Sequence, residues 1–177
     1  EAIINYLARL GWAHGDAELF SREQFVAWFD LEHLGKSPAQ HNPEKLTWLN
    51  NHYLKQADNQ RLALLVAPYL EKMGVQNTTD GPVLVEVVGL FKERAHTLCD
   101  IAQEALMFYR QPIVDPALKI EHLTEAVLPA LLDLKNKFSS CDWQSEAIAI
   151  AFKEVLAAHN LKMPKLAMPV RLLVCGQ

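Results

Sequence analysis

The sequence predicts an all-α protein made of two packed helical subdomains. Three observations carry that reading. Apolar residues recur at three- and four-residue intervals along most of the chain, the period of one helix face. Residues that start helices stand just ahead of most of these stretches. The two stretches rich in β-branched residues, "VLVEVVGLF" (83–91) and "PVRLLVC" (169–175), find no partner strand of like character, so both are expected to be helices.

Taken in order, Ile3, Ile4, Leu7 and Leu10 line one helix face, and Gly11 supplies the stop. "SREQF" offers a capping box, with Ser21 accepting from the helix amides and Gln24 reaching back. Asn42 before Pro43 reads as an N-cap with proline in the first turn, leading through Leu46, Leu49, Tyr53 and Leu54 to about Lys55. Asp58 caps the next helix, through Leu62, Leu65 and Tyr69, and Gly74 ends it. "QNTTDGP" (76–82) holds turn residues and no apolar anchor, so the subdomain boundary is placed there: 1–76 and 77–177. Beyond it, Thr97, Asp115-Pro116, Thr124 and Asp142 read as helix starts.

The 177 residues are half apolar, enough for a real core. No apolar run reaches the roughly 18 residues of a membrane span. The three cysteines are widely spaced with no C-x-x-C, which argues against a disulfide framework or a cysteine zinc site and suits a reducing cytosol. The chain opens on Glu1 with no signal-peptide pattern, as expected of a piece of a longer protein. A net charge of −4 does not announce nucleic acid, but the balance is uneven. No acid follows Glu154, whereas Lys162, Lys165 and Arg171 do.

The short motifs are weak. "GKS" (35–37) lacks the glycine a P-loop needs five residues earlier, where Asp30 stands. "HLGK" (33–36) resembles a HIGH signature only in part, with lysine for the last histidine and no strand leading in. The seven histidines include no i,i+4 pair on one helix, so no metal site is expected. His14 and Asp16 lie in a turn between helices with no accompanying nucleophile. Trp12 is expected to anchor that turn, and Gly11 and Gly15 to shape it. The helical spacing of Trp12, Trp28, Trp48 and Tyr53 points to packing rather than base stacking.

Longer patterns are more specific. "NYLARLGW", "HGD", "FS", "KSPA" and "KLTWLNNHY" occur in this order between Asn5 and Tyr53. Together they resemble the segment that follows the catalytic domain in bacterial glutamyl-tRNA synthetases; His41 stands where that family usually has phenylalanine. "ERAHTL" (93–98) resembles the family's E-R-x-x-T-L, and "MPVRLLVCG" (168–176) its M-P-L-R-x-A-x-T-G, with Cys175 at the usual threonine. The likeness covers essentially the whole chain, although 112–160 matches by helical layout more than by motif.

The resemblance implies a helical stem-contact domain (1–76) followed by an α-helical anticodon-binding domain (77–177), incomplete at its C-terminal end. It implies a tRNA-binding role, non-catalytic in this segment, within a cytoplasmic ligase that attaches glutamate to its tRNA. ATP and Mg would act in that enzyme's catalytic domain, whose HIGH and KMSKS signatures are not in this sequence; no cofactor is expected here. The expected partners are tRNA for glutamate and the parent's own catalytic domain, with no membrane and no DNA.

By the same resemblance Arg94 reads an anticodon base at which the tRNAs for glutamate and glutamine differ, here expected to be cytosine, and so suggests the discriminating form of the enzyme. A guanidinium suits that work, because it can give paired hydrogen bonds to the edge of an unstacked base. Arg171 corresponds to the arginine that contacts other anticodon bases. Lys162 and Lys165 are candidate phosphate contacts, and Lys92 a weaker one. Lys36 and Ser37 are candidates for positioning the tRNA or the junction with the catalytic domain. Two rivals stand beside this reading: a helical protein-interaction domain without RNA recognition, and a small helical hydrolase using His14 and Asp16.

Overall fold

A computed structural model of the chain describes every residue except Ser37 and Gln177. It forms two compact units, Glu1–Arg110 and Gln111–Gln177. Among the described residues there are ten α-helices and no sheet; the strand-like pairing is an isolated bridge between Trp12 and Leu34.

The first unit holds α1 (Ala2–Gly11), α2 (Arg22–Trp28), α3 (Pro43–Gln56), α4 (Asn59–Lys72), α5 (Leu84–Phe91) and α6 (Leu98–Ala105), then a 3-10 turn at Leu106–Phe108. Several starts are the ones the sequence predicts. Ser21 and Gln24 form the reciprocal capping box of α2. Asn42 caps α3 with Pro43 in the first turn, and Asp58 accepts from the amides of Gln60 and Arg61 at the start of α4. Past the end of α4, Gly74 takes φ +89°, where a side chain would be strained.

Two packed clusters build this unit. Ala2 and Tyr6 of α1 meet Leu49 of α3. A larger core gathers Leu54 of α3, Leu62, Val66 and Leu70 of α4, Val87, Val88 and Phe91 of α5, and Ile101, Ala102 and Ala105 of α6. Asn5, only 2% exposed, is the buried polar residue between α1 and α3. Its amide donates to Glu18 O at 2.9 Å, and its Oδ1 accepts from the Tyr53 hydroxyl at 2.8 Å. Both halves of the side chain are therefore paired, as burial requires.

The larger core bears on the 76/77 boundary. Residues 76–82 form a loop, as their composition predicts, but α4 before it and α5 and α6 after it share one core. The loop is also pinned: the Tyr109 hydroxyl donates to Pro82 O at 2.8 Å. A Cβ on Gly81 would lie 2.8 Å from Phe108 O, so only glycine lets the backbone approach this closely. The compact division accordingly falls between Arg110 and Gln111. Turn composition marks a change of direction; only the shared core says whether the two sides fold together.

The second unit holds α7 (Pro116–His122), α8 (Leu128–Phe138), α9 (Ser145–Ala158) and α10 (Met163–Cys175). Its core joins Ala130 and Leu134 of α8, Ala151 and Val155 of α9, and Leu166 of α10. Asp115 caps α7. Asp142 does not cap α9, which begins three residues later with Gln144 at the N-cap position; the Asp142 carbonyl instead accepts from Gln144 N–H. Both β-branched stretches are helical, as expected: the first is α5, and the second continues α10 through Pro169. That proline is buried in the core and, lacking an N–H, leaves out one hydrogen bond of the helix.

Candidate nucleic-acid interface

Arg94 sits at the corner between α5 and α6. Its backbone N–H and that of Ala95 both donate to Phe91 O at 3.1 Å, closing the end of α5. Two residues on, Thr97 opens α6 with a capping box to Asp100. The Asp100 carboxylate accepts from the N–H groups of His96 (3.0 Å) and Thr97 (2.9 Å). Partial burial opposes ionisation of Asp100, but the Thr97 hydroxyl and these N–H groups outweigh it and hold its pKa below the ordinary aspartate value.

The carbonyl side of the corner is held from α3. Asn51 donates to Ala95 O and Asn50 to His96 O. The backbone just after Arg94 is thus gripped on its donors by α6 and on its acceptors by α3. A side chain on a corner held this way is presented in a fixed direction.

That side chain is 63% exposed. Its guanidinium lies 4.9 Å from the centre of the Phe91 ring, and Nη2 donates to Glu104 Oε2 at 3.0 Å. This is a surface ion pair, not a buried one, so the arginine keeps donors for a ligand. The Lys92 ammonium donates to Ala57 O at 3.1 Å, just past the C-terminus of α3, where a cation complements the unpaired carbonyls. Two of its three donors remain.

In the second unit, Lys162, Lys165 and Arg171 are all exposed on or next to α10. Lys162 is the N-cap residue, without a side-chain capping bond. Leu166, Pro169 and Leu172 face the core, and Lys165 and Arg171 stand roughly 120° apart around the helix axis. Lys165 and Arg171 are six residues apart, about 9 Å along the axis at helical rise. Lys36 is exposed in the loop after the Gly35 N–H to Gly11 O bond of 2.7 Å; Ser37 lies outside the described residues.

The other sequence candidates resolve as packing. His14 stacks on Trp28, centroids 4.5 Å apart and planes 8° from parallel, with Trp12 beyond it. His33 bonds Asp30 within its own turn. Among the described residues no three His, Cys, Asp or Glu side chains are placed to hold a metal ion, and no helix is long and apolar enough to cross a membrane. Trp48 departs from the packing expectation. It is 46% exposed on α3, stacked on His52 with the Lys45 ammonium 5.1 Å from its ring.

Asn50, Asn51 and Glu104 escape sequence reasoning. Asn50 lies within the W-L-N-x-x-Y pattern, the one signal available for it. Asn51 and Glu104 have no local signature, because their partners lie 44 and 10 residues away.

Residues 61–177 match the profile of the family described as anticodon binding domain. The chain belongs to the anticodon-binding domain family. Its whole length is 65% identical to part of the glutamate–tRNA ligase of Ralstonia pickettii (strain 12J), and 64% identical to part of that of Cupriavidus necator. It spans 38% of the length of each. Among solved structures, a glutamate–tRNA ligase from Elizabethkingia meningosepticum, crystallised with its amino acid, superposes on all of this chain at a TM-score of 0.83 with 28% identity. This chain covers 35% of that one. The glutamate–tRNA synthetase of Elizabethkingia anophelis gives 0.76 and 30% over 99% of the chain, which covers 34% of it. The family match takes in Arg94 and Arg171, and its stretch begins within α4, inside the first compact unit.

Proposed function

We propose that this anticodon-binding chain is the tRNA-recognising segment of a glutamate–tRNA ligase, non-catalytic by itself. The observation that carries the reading is the likeness to such ligases over the whole chain, at 65% identity. ATP and Mg belong, on this reading, to the catalytic part of the ligase, and the partners of this segment are tRNA for glutamate and that catalytic part. Residues 1–76 contact the tRNA stem and 77–177 the anticodon. Arg94 reads the discriminating anticodon base, and its exposed guanidinium on a clamped corner supports that role. Arg171 contacts further anticodon bases, while Lys162, Lys165 and, more weakly, Lys92 bind phosphates. Lys36 and Ser37 help to position the tRNA or the junction with the catalytic part. The protein-interaction alternative is weakened because neither arginine is buried in an ion pair.

The test is titration of the chain with tRNA for glutamate and tRNA for glutamine, with and without Arg94→Ala. The unaltered chain is expected to prefer the glutamate tRNA, and the variant to lose about tenfold or more of that preference, the value of a good bidentate base contact. Equal binding of both tRNAs by the unaltered chain overturns the reading.

A further inference from the structure

Arg94 and Glu104 leave a particular set of groups open to solvent. One guanidinium N–H is spent on Glu104 Oε2 at 3.0 Å, and an arginine has five. Among the described residues, Glu104 Oε1 accepts no hydrogen bond. The pair therefore presents an acceptor beside a fork of donors. Glu104 is 37% exposed and rises from α6, whose first turn also clamps the Arg94 corner through Asp100, so the two side chains share one rigid mount.

The Watson–Crick edge of cytosine has the complementary order: an exocyclic amine that donates, then N3 and O2 that accept. Carboxylates take a hydrogen bond from that amine, and guanidinium forks suit adjacent acceptors. Uracil puts a carbonyl oxygen where cytosine has the amine, which would face the carboxylate. We propose that Glu104 is the second half of the base reader: it accepts from the cytosine amine while Arg94 donates to N3 and O2, and it repels uracil at that position. The proposal rests on Arg94 reading an anticodon base. An isolated surface ion pair contributes little to stability, so a purely structural role leaves this pair little to do.

The experiment measures binding of the 177-residue chain, by fluorescence anisotropy, to anticodon stem-loop RNAs carrying cytosine or uracil at the discriminating position. Glu104→Gln is the informative variant. Its amide can still accept from cytosine and can also donate to uracil. It is expected to keep cytosine binding, strengthen uracil binding, and cut the cytosine-over-uracil ratio about tenfold. Loss of the negative charge alone would strengthen both RNAs alike, and that outcome overturns the proposal. Arg94→Ala, run in parallel, separates the two layers. If it weakens cytosine binding while Glu104→Gln leaves the ratio unchanged, Glu104 is not a reader. If it changes nothing, the anticodon reading of Arg94 fails, and the proposal with it.

Discussion

The side-chain amide of Asn51 donates to the carbonyl oxygen of Ala95 at 2.6 Å, across 44 residues of sequence. Asn51 lies on α3 in the half of the chain that resembles a stem-contact domain, and Ala95 follows the arginine proposed to read the anticodon. This bond and its neighbour from Asn50 to His96 O join the two segments within one compact unit.

Removing the Asn51 amide strands a carbonyl on a residue only 4% exposed. Asn51→Ala is expected to destabilise the chain by about 1–3 kcal/mol, the cost of an unsatisfied buried acceptor. Asn51→Asp should do no better, because it turns a carboxylate oxygen toward a carbonyl. Urea unfolding followed by circular dichroism measures both. Unchanged midpoints would mean that the α6 side of the corner alone holds it.

The lysines of α10 call for a different readout. A phosphate contact shows itself in the salt dependence of binding more than in preference among sequences. Lys162→Ala and Lys165→Ala are each expected to weaken binding of both tRNAs alike. Each should flatten the slope of log affinity against log salt by about 0.7–0.9, the value of one phosphate contact. Titrations at several salt concentrations test this; slopes unchanged in both variants would leave these lysines as solvated surface.

Acid should loosen the corner through Asp100. Its folded pKa lies below the ordinary value of 3.8, so its contribution to stability is complete above that value. The contribution is lost as pH falls through the lower, folded value, where protonation removes the acceptor for the His96 and Thr97 N–H groups. Thermal melts between about pH 6 and pH 2.5 are expected to lose stability at the acid end in the unaltered chain, and to lose less in Asp100→Asn, which can still cap but does not ionise. Parallel acid limbs in the two proteins would remove Asp100 from the account.

Much of the fold is readable along the chain because its causes are local. Ser21 with Gln24, Asn42 with Pro43, and Asp58 each bond to amides two or three residues away, so spacing alone predicts them. Asp142 misleads because a residue of capping type also serves in a turn, and there its carbonyl does the bonding. Trp48 misleads for another reason: helical period says which residues share a face, not whether that face meets the core.

By itself, the sequence determined the helical class, the starts of α2, α3, α4, α6 and α7 and, through its longer motifs, the family and the two arginines to look at. The tertiary structure alone decided three further matters. It placed the compact division after Arg110, because burial of α4 against α5 and α6 outweighs the turn composition of the loop between them. It made His14 part of an aromatic stack, since a ring contact between a loop residue and a helix leaves no trace in spacing. It set Glu104 beside Arg94 and Asn51 beneath it, because hydrogen bonds between elements depend on how helices pack, which no local pattern records.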